Sequence, residues 1–267
     1  MPFKSVPFYV VGSLLWGVIS VVSAESLGLK AFKEGDYGLA LQEFQAPAAN
    51  GDATAQYYLG VLYAQGWGVM PSSTLARQWF AKAAAQDFAK AAHNLAVMYQ
   101  TGEGGPQDPL LARQWFEKAA RQHSAKSSQQ LGLLYFHGDG VRRDFGAARE
   151  WWQRAYEDGE VDAGYNLGIL YVRGLGVAQD PAQAASWWEL AARRGSLLAQ
   201  NALGSAYQKG TGVPPDPITA LAWFRVAAAG GLAVAEQNAA LLAGQLDDSQ
   251  IEAARVLAAK LSPVRSQ

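Results

Sequence analysis

The stretch Leu59-Gly60-Val61-Leu62-Tyr63 returns, in closely related form, every 36 residues along the chain. The later copies are Leu95-Ala96-Val97-Met98-Tyr99, Leu131-Gly132-Leu133-Leu134-Tyr135, Leu167-Gly168-Ile169-Leu170-Tyr171 and Leu203-Gly204-Ser205-Ala206-Tyr207. Twenty residues after each leucine stands a tryptophan, in the order Trp79, Trp115, Trp151, Trp187 and Trp223. Self-similarity at a fixed period of a few tens of residues is typical of a solenoid, in which each repeat contacts only its neighbours.

Each repeat is predicted to be a pair of α-helices. In the first repeat Ala55, Tyr58, Leu59, Leu62 and Tyr63 have the spacing i, i+3, i+4, i+7 and i+8, which places them on one stripe of a helix. A second set has the same spacing: Ala76, Trp79, Phe80, Ala83 and Ala84. Neither helix can bury its stripe alone, so we expect an all-α superhelical solenoid of 36-residue helix-turn-helix repeats. The predicted repeats are residues 52–87, 88–123, 124–159, 160–195 and 196–231.

The segment between the two helices of each repeat contains the residues that end one helix and begin the next. A Gly-x-Gly pattern follows each first helix, beginning at Gly66, Gly102, Gly138, Gly174 and Gly210. Glycine adopts the left-handed conformation that commonly ends a helix. An aspartate or serine then precedes each second helix, and we expect it to cap that helix: Ser72, Asp108, Asp144, Asp180 and Asp216.

Shortened units are predicted at both ends of the array. Residues 25–51 resemble a tetratricopeptide hairpin with a shorter loop, and residues 232–267 contain two more helices and a polar tail. Asp247 and Gln250 have the spacing of a capping box at the start of the last helix. Terminal repeats of this kind cover the exposed ends of a solenoid core.

The tryptophan of each repeat is expected to be buried and to hold the array together. A buried tryptophan removes roughly 150–250 Å² from water, more than most other side chains. The alternative is that the tryptophans form a platform on which sugars stack. We favour the core interpretation, because the tryptophans share their stripe with small alanines.

The first 24 residues are predicted to be a cleaved signal peptide. Lys4 precedes an uncharged apolar run over residues 8–22, and Val22-Ser23-Ala24 provides small residues for cleavage. The alternative is an uncleaved membrane anchor, but the run is shorter than the roughly 20 residues that cross a bilayer. We therefore expect a periplasmic or secreted protein without stable membrane insertion.

Composition and motifs argue against several classes of function. The formal net charge is −1, so no strongly basic surface is expected for nucleic acid. The chain has no cysteine, and it lacks the hydrolase, metalloprotease and P-loop motifs. Its three histidines, His93, His123 and His137, do not form a close pair of metal ligands. We therefore predict no enzymatic activity and no metal or other cofactor.

The combined pattern of leucine-glycine, tyrosine, Gly-x-Gly-Val, aspartate, tryptophan and closing alanines resembles the Sel-one-like repeat (SLR) family, a relative of the tetratricopeptide repeat. The resemblance covers residues 52–231. It implies a right-handed α-α superhelix that binds other proteins and is frequently exported in bacteria, with roles in envelope regulation, secretion or host contact. It implies no particular partner.

The candidate binding surface follows from the helical geometry of the first helices. Positions two before, two after and five after the repeat leucine point away from the core, because each residue turns the helix by 100°. Many of these positions are apolar or aromatic, which favours a groove for a partner protein. The predicted groove residues at these positions are Tyr57, Val61, His93, Val97, Gln100, Leu133, Phe136, Tyr165, Ile169 and Val172, and His137 and Arg173 flank them and complete the predicted groove. The alternative is that neighbouring first helices bury the valine, leucine and isoleucine positions against one another.

Two functions are thus compatible with the sequence. The first is an exported scaffold that binds an envelope protein through this groove, in a regulatory or assembly role. The second is binding of cell-wall glycan or its peptide, or a role associated with a cell-wall hydrolase. The oligomeric state stays open.

Overall fold

The computed structural model describes residues 26–261, and this part of the chain consists of fourteen α-helices without a β-strand. The helices are α1 Leu27–Glu34, α2 Tyr37–Ala49, α3 Ala53–Gln65, α4 Ser73–Ala85, α5 Ala89–Thr101, α6 Pro109–Arg121, α7 Ala125–His137, α8 Phe145–Glu157, α9 Asp162–Arg173, α10 Pro181–Arg193, α11 Leu197–Lys209, α12 Pro217–Ala229, α13 Ala233–Ala243 and α14 Asp248–Leu261. The predicted signal peptide, residues 1–24, lies outside the described residues. No helix within the described range is long and apolar enough to span a bilayer.

Helices α3 to α12 form five successive pairs, and each predicted repeat contains one pair. We call α3, α5, α7, α9 and α11 the first helices and α4, α6, α8, α10 and α12 the second helices. Every first helix packs against the second helix of its own repeat. The second helices α4, α6, α8 and α10 also pack against the next first helix, and α12 packs against α13 and α14. This chain of nearest-neighbour contacts confirms the predicted all-α solenoid.

The leucine-glycine pair of the repeat has a specific packing role. Leu59 is 1% exposed, and its neighbour Gly60 lies so close to Phe80 that a Cβ there would be 2.6 Å from the ring. A glycine therefore lets the aromatic ring of the second helix contact the backbone of the first helix. The same contact joins Gly132 to Trp152, Gly168 to Trp188 and Gly204 to Phe224.

The prediction that the tryptophan row forms the buried core is wrong for four of its five members. Trp79, Trp115, Trp151 and Trp187 are half-buried, and only Trp223 is fully buried. The core aromatic of each repeat is the next residue along the helix: Phe80, Phe116, Trp152, Trp188 and Phe224. One residue turns an α-helix by 100°, so the next residue faces the first helix of its own repeat. The tryptophan instead lies beside the preceding unit, as Trp79 does against the cluster around Phe44.

The loop predictions are confirmed. Gly66 ends α3 in the left-handed conformation with φ 70°, and Gly68 abuts the backbone of Tyr37 in the preceding unit. Asp144 caps α8 by accepting hydrogen bonds from the backbone N–H groups of Gly146 and Ala147. Ser72, Asp108, Asp180 and Asp216 cap the other second helices.

The terminal helices cover the two ends of the array. Helices α1 and α2 form the shortened first unit, with Phe44 buried against the backbone of Gly28. At the other end Asp247 and Gln250 form the predicted capping box, and α14 packs on α12. Helix-to-helix contacts thus connect all fourteen helices of the described range.

Candidate partner-binding surface

The predicted groove residues lie on what we call the first-helix face, the surface formed by the side chains of α3, α5, α7, α9 and α11 that do not enter the core of their own repeat. His137 and Arg173 are exposed, and the other ten predicted residues are half-buried. None of the twelve is fully buried. The face is therefore accessible along its length, although less open than the sequence predicts.

Neighbouring repeats account for this partial burial. Val61 packs against a cluster that contains Phe80 of its own repeat and Leu95 of the next one. Ile169 similarly packs against residues of α10 and α11. Helices α9 and α11 approach each other more closely than other neighbouring first helices. The apolar positions thus have one side in contact with protein and the other side open.

Clefts between adjacent first helices interrupt the face. The cleft between α3 and α5 has a volume of about 360 Å³ and contains Tyr57, Val61 and Val97. The cleft between α9 and α11 has a volume of about 380 Å³ and contains Tyr165, Ile169 and Val172. A third cleft, between α5 and α7, measures about 520 Å³ and contains Tyr57 and His93. Five predicted residues line none of these clefts: Gln100, Leu133, Phe136, His137 and Arg173.

The large aromatic residues of the face also support the fold. The ring of Tyr57 stacks on Phe88 with centroids 5.1 Å apart, and burial raises the pKa of its hydroxyl. Phe136 contacts Trp152 at a centroid distance of 5.4 Å. Tyr165 packs against the buried cluster that contains Trp188 and Leu203. Replacing these aromatics would therefore disturb the core as well as any binding surface.

His93 is fixed at the boundary between α5 and α7. Its Nδ1 lies 2.9 Å from the hydroxyl of Ser127, which in turn lies 2.9 Å from the hydroxyl of Ser124. Burial and, to a smaller extent, the charge of Lys126 lower the pKa of the imidazole from 6.5. At neutral pH the ring is consequently uncharged, and it acts as a positioned polar group on the cleft wall.

Sequence reasoning missed several residues of the clefts. Lys90, Asn94, His123 and Lys126 line the α5–α7 cleft, and Trp67 from the loop after α3 lines the α3–α5 cleft. Lys90 and Lys126 stand five residues before the repeat leucine, a position that points away from the core as much as position five after does but was not among the three considered. The sequence shows which charged residues lie on the first helices, and this signal could have identified Lys90 and Lys126 as candidate residues of the binding surface.

The described residues offer no evident metal centre. Between residues 26 and 261, no three histidine, aspartate or glutamate side chains lie close enough together to hold a metal ion. The side chains of the face are apolar, aromatic and amide groups beside a few cations.

A repeat-family model and one solved structure agree with this architecture. A family model described as the Sel1 repeat matches residues 53–88, 89–124, 125–160, 161–196 and 197–232, each segment beginning one residue after a predicted repeat. The crystal structure of a Sel1 repeat protein from Oxalobacter formigenes is similar, with 34% identity, coverage of 80% of this chain and 88% of that chain, and a TM-score of 0.75. A Sel1 repeat protein from Klebsiella pneumoniae subsp. pneumoniae has 26% identity, coverage of 76% and 99%, and a TM-score of 0.47. No curated protein matches the chain.

The Sel1 repeat model matches more than half of the chain, and the five matched segments contain the five helix pairs described above. The chain therefore belongs to the Sel1 repeat family.

Proposed function

We propose that this protein is an exported scaffold of the bacterial cell envelope that binds a partner protein through its first-helix face. Sel1 repeat proteins generally mediate protein–protein interactions and are generally non-catalytic. The observation that carries the proposal is the row Val61, Val97, Leu133 and Ile169, which stays half-buried along successive first helices. A surface row of apolar side chains is typical of a protein interface.

Support for export comes from the sequence alone. The charge of Lys4, the uncharged run over residues 8–22 and the small residues before Glu25 form a signal-peptide pattern. The proposed location is the periplasm or the extracellular medium. Mass spectrometry of the protein from its native host is expected to find a mature chain that begins at Glu25; an intact leader on cytoplasmic protein would contradict export.

The tryptophan row does not favour the alternative of glycan binding. Lys82 lies over the ring of Trp79 at 3.9 Å, and Lys118 and Arg154 lie over Trp115 and Trp151. The tryptophans also pack against the preceding units. Rings covered by a cation and by a neighbouring unit make a poor platform for stacking sugars.

Site-specific photo-crosslinking in the native host tests the proposed face. A photoreactive phenylalanine analogue is placed at Gln65 or Lys209, two exposed positions that line clefts of the face. We expect each position to form an adduct with a second protein, because that protein would lie within a few ångströms of the analogue.

Exposed positions on second helices provide the matched control. Gln114 on α6 and Ser186 on α10 carry the same analogue at comparable exposure. The proposal predicts no adduct at these positions. Equal crosslinking from both sets, or crosslinking from the second helices alone, would place the interface elsewhere.

A further inference from the structure

The cleft between α5 and α7 has two lysines among its lining residues, whereas the α9–α11 cleft has one, Lys209, and the α3–α5 cleft has none. Lys90 and Lys126 line it together with His93 and His123, and no aspartate or glutamate is among its lining residues. The α3–α5 cleft, in contrast, has Glu103 as its only charged lining residue. The α5–α7 cleft therefore combines a volume of about 520 Å³ with a local excess of positive charge.

The two lysines occupy equivalent positions in successive repeats, since they are 36 residues apart. Both side chains are exposed, and neither forms an ion pair with any residue in the range 26–261. This contrasts with Lys118 on the second-helix side, whose Nζ lies 2.9 Å from a carboxylate oxygen of Asp87. The ammonium groups of Lys90 and Lys126 are thus available to an external anion.

Polar groups line the cleft together with these lysines. The hydroxyl of Ser127 lies 2.9 Å from Nδ1 of His93, and Asn94 and Tyr57 also line the cleft. His123 lies at the turn before α7, where its Nδ1 is 2.8 Å from Asp158. Asp158 forms no ion pair with either lysine, and its other carboxylate oxygen lies 3.8 Å from the Nε of Arg154.

Charge is unevenly distributed between the first helices and the rest of the chain. The first helices carry Lys90, Lys126, Arg173 and Lys209 but only one acidic residue, Asp162. Asp162 accepts a hydrogen bond from the buried Ser196. The chain as a whole has a net charge of −1, so its acidic residues are concentrated elsewhere. Several of them are the caps of the second helices: Asp108, Asp144, Asp180 and Asp216.

We propose that the α5–α7 cleft binds an acidic segment of the partner protein, with Lys90 and Lys126 contacting its aspartate or glutamate side chains. The inference rests on the proposed function and specifies the chemistry of the partner. Complementary charge at an interface accelerates association and excludes partners of the wrong sign. Apolar contacts along the neighbouring clefts then supply the remaining binding surface.

Selection from a random peptide library tests this proposal. A displayed library of twelve-residue peptides is selected on the chain from Glu25 onward and, in parallel, on the Lys90→Gln, Lys126→Gln double variant. We expect peptides selected on the parent to be more acidic than the unselected library, because only they pair with both lysines. The most enriched peptide is expected to bind the double variant about 10-fold more weakly, and its affinity for the parent should fall with added salt.

A second double variant, Lys82→Gln with Arg121→Gln, removes two exposed charges from second helices and provides the control. It should bind the selected peptide as the parent does. Selection of uncharged apolar peptides, or of acidic peptides that bind the Lys90/Lys126 variant equally well, would overturn the acidic-segment proposal. In that case crosslinking from Gln65 and Lys209 would decide whether the face still binds a protein.

A soluble disaccharide-peptide fragment of cell wall tests the alternative that the cleft binds a cell-wall ligand and not a protein. If this fragment binds the parent directly and loses affinity in the Lys90/Lys126 variant, while no library peptide is enriched, the cleft recognises cell-wall carboxylates and the proposal is overturned. Failure of every ligand to bind, together with an absence of crosslinks, would reject the proposed function as well.

Discussion

At the scale of single residues, the leucine-glycine pair joins the two helices of a repeat. Leu59 enters the core, and Gly60 leaves the space into which the ring of Phe80 fits. The second repeat has alanine at the equivalent position, where Ala96 lies in the same cluster as Phe116. The small side chain is therefore required by the distance between the helices, which the repeat period alone does not specify.

Replacing Gly60 by alanine is expected to destabilise the protein despite the better helix propensity of alanine. The new Cβ would lie 2.6 Å from two carbon atoms of the Phe80 ring, so the ring or the helix must move. Overpacking of a core typically costs about 1–3 kcal/mol. The free energy of unfolding, measured in urea, is expected to fall within this range.

Gly38→Ala is the matched control for this substitution. Gly38 lies in the first turn of α2, and the nearest atom to a Cβ there is a carboxylate oxygen of Asp36 at 3.8 Å. The substitution is expected to leave stability unchanged or raise it by up to about 1 kcal/mol. If both variants behave alike, close contact with Phe80 is not the reason for glycine at position 60.

At the scale of the helix, the sequence predicts where each helix lies better than it predicts which of two adjacent aromatic residues on a second helix enters the core. Trp151 and Trp152 both belong to an amphipathic stripe, and hydrophobic periodicity does not distinguish them. The structure buries Trp152 to 1% exposure and leaves Trp151 half-buried beside the preceding repeat. The deciding factor is the close approach of Gly132, a contact between two helices.

Truncation of the two tryptophans is expected to have unequal effects. Trp152→Ala removes a ring that fills the space between α7 and α8, and such substitutions typically cost about 3–5 kcal/mol. Trp151→Ala leaves a space that is partly open to solvent, so we expect a smaller loss, about 1–2 kcal/mol. Urea unfolding of both variants at one temperature measures the difference.

Trp152→Phe separates loss of the ring from loss of the indole N–H group. Three other repeats have phenylalanine here, and the indole nitrogen of Trp152 is buried without a hydrogen-bond partner. A cost below about 1.5 kcal/mol is therefore expected. A larger loss in Trp151→Ala than in Trp152→Ala would instead restore the tryptophan row as the main core element.

At the scale of the whole molecule, the regular period predicts the solenoid, its loops and its helix caps, because each depends on residues close together in sequence. The clefts of the first-helix face could not be predicted in the same way. Their width depends on how closely α9 approaches α11 or α5 approaches α7, which follows from packing between repeats. Tyr57 and Phe136 illustrate this. The sequence predicts both as groove residues, but in the structure their rings also contact the core aromatics Phe80 and Trp152.

Nearest-neighbour packing also determines how far the effect of a substitution in α14, at the C-terminal end of the array, extends. Ala254 of α14 is fully buried in a cluster with Leu221 and Phe224 of α12. Ala254→Asp would place an unpaired carboxylate in this apolar contact, at a cost of several kcal/mol, and is expected to detach α14. Ala253→Asp, at the exposed neighbouring position, is the control and is expected to leave α14 in place.

The expected consequence of Ala254→Asp is local, because repeats of a solenoid are stabilised mainly by their immediate neighbours. Hydrogen–deuterium exchange should become faster in α12 and α14, where Arg225 also loses its hydrogen bond to the carbonyl of Ile251. Exchange in α3 and α4, at the other end of the array, should match that of the parent and of Ala253→Asp. Uniformly faster exchange from α3 to α14 would mean that the array unfolds as one cooperative unit. A substitution at one end of the first-helix face would then also disrupt the face at the other end.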